Sequence, residues 1–122
     1  MKIKVIFILM VFLLCGCVPN TNVIKHPECF GVERWATSMA FVSLKNAGIT
    51  NNEELDFSKT ETIRLASEKK TDDLYTQIHY IIFIKKSGKK IEVITKNESS
   101  NEECSMSDVE VFLVKKVIGG KE

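Results

Sequence analysis

Cysteine and histidine have the widest chemical range in this chain, and there are few of either: Cys15, Cys17, Cys29 and Cys104, with His26 and His79. No Cys-x-x-Cys pair and no clustered histidines accompany them, so a metal centre has no ready ligand set. A catalytic nucleophile needs a base within hydrogen-bond reach. The sequence offers no Gly-x-Ser-x-Gly elbow, no His-Glu-x-x-His run and no phosphate-binding loop. His79 lies between Ile78 and Tyr80 in a strand-like run, where a structural histidine is the commoner reading. Asp72-Asp73 and Glu102-Glu103 are adjacent pairs whose side chains diverge, so solvated turns explain them better than carboxylate dyads. These residues imply a protein that is not an enzyme and needs no cofactor or metal.

The N-terminal residues point to a different chemistry. Lys2 and Lys4 are followed by an unbroken apolar run over 5–14 (VIFILMVFLL) and then by Cys15-Gly16-Cys17. A charged start, a short apolar middle and small residues before a cut site make an export signal. The run is too short for a comfortable membrane span, which takes about 20 residues. Leu14-Cys15-Gly16-Cys17 resembles the lipobox of bacterial lipoproteins: Leu, a small residue, Gly and an obligatory Cys. Cys15 is less usual at its place than Ala or Ser. The resemblance implies that residues 1–16 leave as a lipoprotein signal peptide and that Cys17 becomes the lipid-bearing first residue, carrying fatty acids such as palmitate. A plain cleaved signal and an uncleaved anchor are the alternatives. Each buried methylene contributes about 0.8 kcal/mol, so two or more acyl chains hold a protein stably at a bilayer. Val18 stands where Asp marks inner-membrane retention, which by the same resemblance implies the periplasmic face of the outer membrane. In that setting the sequon Asn97-Glu98-Ser99 has no glycosylation role.

Removing the signal leaves roughly 100 residues, one domain of ordinary size. The whole chain has 17 basic and 16 acidic residues. Losing Lys2 and Lys4 keeps that near balance, so no field strong enough to recruit nucleic acid follows. Lys85-Lys86 and Lys89-Lys90 flank a turn and read as a solvated hairpin tip. Cys15 departs with the signal and Cys17 takes the lipid, which leaves Cys29 and Cys104. In an exported protein two such cysteines are most simply a disulfide; free thiols or a metal site are weaker readings. Closing a loop of about 75 residues gives an upper figure of about 4–5 kcal/mol from chain entropy.

The elements that must position these residues follow from periodicity. Residues 17–28, bracketed by Pro19 and Pro27, read as a lipidated tether containing His26. Residues 33–47 read as a helix, with Trp35, Met39 and Val42 as the core stripe, widened by Ala36, Ala40, Leu44 and Ala47. Glu33 falls in its first turn, Lys45 in its last, and Gly48 at a left-handed cap. Leu55 and Phe57 tuck a polar connection onto the domain. Residues 60–69 make a weak strand with Ile63 and Leu65 on one face, and Thr71-Asp72-Asp73 a turn. Residues 74–85 are the strongest strand, apolar on both faces and therefore central. Ser87-Gly88 turns into a strand over 91–95. A polar loop over 96–108 carries Cys104. The last strand spans 109–117, with Phe112 and Val114 on one face and Val111 and Leu113 on the other, and Gly119-Gly120 ends the domain. The expected fold is α+β: one N-terminal helix packed on an antiparallel sheet of about four strands, pinned by one disulfide. The domain spans 29–118, with a tail over 119–122.

Several runs taken together resemble a family of small periplasmic lipoproteins: Glu28-Cys29-Phe30-Gly31, Trp35-Ala36-Thr37-Ser38-Met39-Ala40-Phe41, Leu55-Asp56-Phe57-Ser58, Arg64-Leu65-Ala66-Ser67-Glu68, Ile91-Glu92-Val93-Ile94-Thr95 and Glu103-Cys104-Ser105-Met106-Ser107. That family accompanies type VI secretion genes, and some members are immunity proteins against phospholipase effectors. The resemblance implies a stoichiometric inhibitor whose partner is an incoming lipase. An inhibitor of a cell-wall hydrolase, of the lysozyme-inhibitor kind, and a structural lipoprotein of an envelope machine are the competing classes. Cys17→Ala is expected to abolish lipid attachment and membrane fractionation. Labelling cells with a tagged fatty acid checks this, and undiminished label on the variant refutes it.

Overall fold

The computed structural model describes residues 16–17, 19, 23–115 and 118–120 of the chain. Leu14 and Cys15 of the lipobox, the apolar run before them and Val18 lie outside the described residues. Four strands, β1 (Glu61–Thr71), β2 (Leu74–Ile84), β3 (Lys90–Ser99) and β4 (Glu110–Val114), form one antiparallel sheet in the order β1-β2-β3-β4. One α-helix, α1 (Trp35–Asn46), covers part of one face. The fold is thus the expected α+β arrangement. The helix is the first described element but starts at Trp35, well inside the chain rather than at its N-terminus.

Helix α1 stops where the sequence requires it. Gly48 adopts φ 71°, a conformation open to glycine at no steric cost. The Gly48 N–H donates to the Lys45 carbonyl and the Ile49 N–H to the Leu44 carbonyl, at 3.0 and 2.9 Å, the paired bonds of a Schellman cap. Ile49 and Leu44 then meet in the core, as that motif prefers. The start differs from expectation: Glu33 precedes the N-cap Arg34, and the first turn holds no acid. The buried face also differs. It consists of Ala36, Thr37, Ala40 and Leu44, while Trp35 and Met39 are half-buried and Val42 is exposed. Small residues let the helix lie close to the sheet, which pushes the bulky ones to its margin. There Trp35 Nε1 donates to the Ser107 carbonyl at 3.1 Å.

The core joins Ala40 and Leu44 to Ile81 and Phe83 of β2 and to Ile91 and Val93 of β3, with Leu55 completing it. Each of the larger side chains, Ala40 excepted, contributes about 1.5–3 kcal/mol on burial. The connection after α1 docks as expected at Leu55, which bridges to Lys85. Phe57 packs edge-on to Phe41 at 5.0 Å between ring centroids. The two tight hairpin turns sit where the sequence places them. Asp72 takes φ 41° and Gly88 φ 90°. Lys85 is not a free member of the hairpin tip: its ammonium lies 2.9 Å from the Glu54 carboxylate. β3 runs on to Ser99, into the stretch expected to be loop, because Asn97 and Ser99 bury inward-facing polar side chains that pair locally. β4 ends at Val114, shorter than expected; residues 116–117 are outside the described set.

Helix and core cover only half of the inner sheet face. The other half carries Tyr75, Gln77 and His79 of β2 and Thr95, Asn97 and Ser99 of β3, all buried. What covers them is the segment read as tether. Pro27 is fully buried, and its carbonyl accepts from Gln77 Nε2 at 2.8 Å and Arg64 Nη1 at 3.0 Å. His26 Nδ1 lies 2.8 Å from Ser67 Oγ, and Asn101 Nδ2 donates to the Lys25 carbonyl. Packing therefore begins near Lys25. The Cys29–Cys104 disulfide, with Cα atoms 5.5 Å apart, closes this half. The Cys104 carbonyl in turn accepts from Asn97 Nδ2 and Ser99 Oγ. Reduction of the bond, or Cys104→Ser, is expected to cost about 2–4 kcal/mol, read as a lowered thermal midpoint. An unchanged midpoint would remove the disulfide from the stabilising interactions.

Candidate binding surface

Register fixes what the opposite, outer face of the sheet presents. Residues directly opposed across strands share a face. Ile63 pairs with Tyr80, Tyr80 with Ile94 and Ile94 with Phe112, so one row of apolar and aromatic side chains crosses all four strands. Ile63 is 50% and Phe112 55% exposed. A register shift between Arg64 and Ala66 leaves Leu65 without a partner, and it is 55% exposed beside them. Tyr80 and Ile94 in the middle of the row are half-buried among their neighbours; half-buried Ile78 and Val114 and buried Ile82 border it. No helix or loop among the described residues packs over it. Contiguous exposed apolar area of this kind marks interaction surfaces in soluble domains.

The charges around the row are mostly acidic. On one side the register runs Glu61, Ile82, Glu92, Val114. On the other it runs Ala66, Ile78, Lys96, Glu110, and then Glu68, Thr76, Glu98. Lys70 pairs with Glu98, and Lys90 lies at the hairpin end. The Tyr80 hydroxyl donates to Glu92. That hydrogen bond, helped by desolvation and by the charges of Glu92 and Glu61, pushes the phenol up to about 12. Tyr80 is thus a neutral donor locked in place at the centre of the row.

The residues singled out in the sequence fall elsewhere. Cys17 is exposed and unpaired. Cys29 and Cys104 form the disulfide and lie away from the outer face. Glu102 and Glu103 are exposed, and the Glu103 carbonyl accepts from the Ser100 N–H. Asp72 and Asp73 are exposed turn residues, as expected, and the Asp73 carboxylate in addition accepts from the Asn101 backbone and side chain. Asn97 is 4% exposed, so its sequon lies inside the fold. The outer row was not singled out in the sequence; the only trace of it there is that β2 and β4 carry apolar residues on both faces.

His79 is 1% exposed, and neither ring nitrogen has a hydrogen-bond partner among the described residues. Thr95 Oγ1, opposite it in register, also has none. Burial, with a smaller contribution from the Arg64 charge, lowers the imidazole from 6.5 to about 4. At 1% exposure and with no carboxylate partner among the described residues, the imidazole is held neutral inside the fold. The unfolded chain takes up a proton near pH 6.5 and the folded chain only near pH 4. The contribution is therefore whole above 6.5 and falls away as pH drops to 4, by about 3 kcal/mol. His79→Gln is expected to flatten the stability profile across that window in denaturant titrations. An equally steep profile in the variant would assign the dependence to other groups. No protein-family model matches this chain, and neither a curated protein nor a solved structure matches it.

Proposed function

We propose that this chain is an envelope lipoprotein that acts by binding another protein, and that it serves as an immunity protein neutralising a secreted lipase of the type VI kind. The observation that carries the binding reading is the open row Ile63–Tyr80–Ile94–Phe112 on a sheet whose other face is fully occupied. A disulfide-closed sheet is already ordered, so little entropy is lost when a partner docks on it. The choice of a lipase rests on the resemblance of the runs around Cys29, Trp35 and Cys104. Lipidation at Cys17 would hold the domain beside the bilayer, where a lipase must work, and raise its effective concentration there. Inhibition is by occupancy, so no residue of this chain turns over a substrate.

The test is co-expression with the product of an adjacent effector gene directed to the periplasm. The expected outcome is a one-to-one complex and survival of the cells, retained in His79→Gln. Absence of a complex, with loss of secretion itself when the gene is deleted, would replace this reading with a structural role in the envelope machine.

A further inference from the structure

The outer sheet face carries information about the partner's chemistry. A purely apolar cover would leave Glu61 and Glu92 desolvated beside Ile82 and Val114, and an unpaired buried carboxylate is strongly unfavourable. Along the row, Glu61, Glu68, Glu92, Glu98 and Glu110 face outward, against Lys70, Lys96 and Lys90. Two of those lysines have partners within the sheet: Lys70 bonds Glu98, and Lys96 stands opposite Glu110. Lys90 sits at the strand start, one same-face row from Glu92, and lines a cleft at the sheet end with Glu92, Val114, Lys89 and Lys115. The carboxylates nearest the stripe, Glu61 and Glu92, make no ion pair within 4.0 Å among the described residues. Glu92 receives only the Tyr80 hydroxyl.

We propose that the outer face of the sheet docks a protein segment whose apolar side chains are flanked by lysine or arginine. The apolar side chains cover Ile63, Tyr80, Ile94 and Phe112, and the flanking cations meet Glu61 and Glu92. Arginine suits this place because its planar fork binds a carboxylate through two donors while its stem lies on apolar surface. An anionic membrane is disfavoured, since the same carboxylates would repel it. This inference rests on the protein-binding reading above and adds to it the surface and the kind of partner.

Photo-crosslinking in living cells tests it with the full chain. Benzoylphenylalanine replaces Phe112, an exposed position where an aromatic ring is already present. A second strain carries it at Val42, exposed on α1 on the other side of the sheet. The expected result is an adduct from Phe112 but not from Val42, with lysine or arginine beside the apolar residues of the captured peptide on sequencing. Glu61→Lys with Glu92→Lys should lower adduct yield by about tenfold, as charge reversal at an interface slows association. Glu61→Asp with Glu92→Asp should restore it, and an intact disulfide on non-reducing gels confirms that the variants fold. An adduct with a second copy of this chain, with lipid or with an acidic segment overturns the proposal. So does a yield indifferent to charge reversal, or no adduct above the Val42 level. The two readings fail separately. Effector protection without a Phe112 adduct sinks the surface and leaves immunity standing. A basic-flanked adduct in cells that gain no protection does the reverse.

Discussion

A four-stranded sheet has two faces, and one twelve-residue helix covers only half of one of them. The rest of this structure depends on how the remaining half is closed. The Cys29–Cys104 bond brings two irregular segments over Gln77, His79, Thr95 and Asn97, residues that no apolar helix would cover well. Once the segments are in place, their carbonyls satisfy part of that polar set: Pro27 accepts from Gln77 and Arg64, and Cys104 from Asn97 and Ser99. Without the covalent link these contacts would have to order two long strands of backbone on their own, at about 1–2 kcal/mol per residue fixed.

The closure is incomplete in hydrogen-bonding terms. Both nitrogens of His79, Thr95 Oγ1, Gln77 Oε1 and Asn97 Oδ1 are buried without a partner among the described residues. Each unmade bond costs about 1–3 kcal/mol. The inner face therefore has a tight half under Ala40 and Leu44 and a weaker half under the disulfide, and the linkage to pH resides in the weaker one. The outer face is unaffected by this division. Its row of apolar side chains is backed by both halves, because β2 and β3 run the full length of the sheet.

Much of this was legible in the sequence. The middle of the run at 74–84 is apolar at both parities, and that dictates a central strand, paired on both edges. Gly48 and Gly88 stand where a cap and a hairpin turn need positive φ. The pairing of Cys29 with Cys104 followed from which cysteines an exported chain would have left. Other features were hidden by the physics that produced them. Trp35 and Val42 advertise a helix stripe by size, yet the close approach of helix and sheet is set by Ala36 and Ala40. Asn97 and Ser99 look like loop residues because polar side chains are rare inside strands, and only the disulfide segment makes their burial tolerable. Pro27 looked like part of a flexible leader, since nothing local reveals that its carbonyl is an acceptor for two distant side chains. The outer row needs the register of all four strands at once, which no single segment contains.

The position of the disulfide also decides how the domain carries load. Cys29 lies near the beginning of the described fold and Cys104 near its end, 75 residues apart in sequence and covalently joined. A pull applied at the two ends of the chain passes from one sulfur to the other and bypasses everything between them. The helix, the first three strands and their hairpins cannot be extended by such a pull. Among the described residues, the stretches in series with it are residues 25–28, held by Asn101, Gln77 and Arg64, residues 105–109, held by Trp35 and Glu98, and β4, held by β3. Under tension the domain can therefore shed residues 25–28 at one end and everything after Cys104 at the other, while the remainder stays folded for as long as the sulfur–sulfur bond is intact.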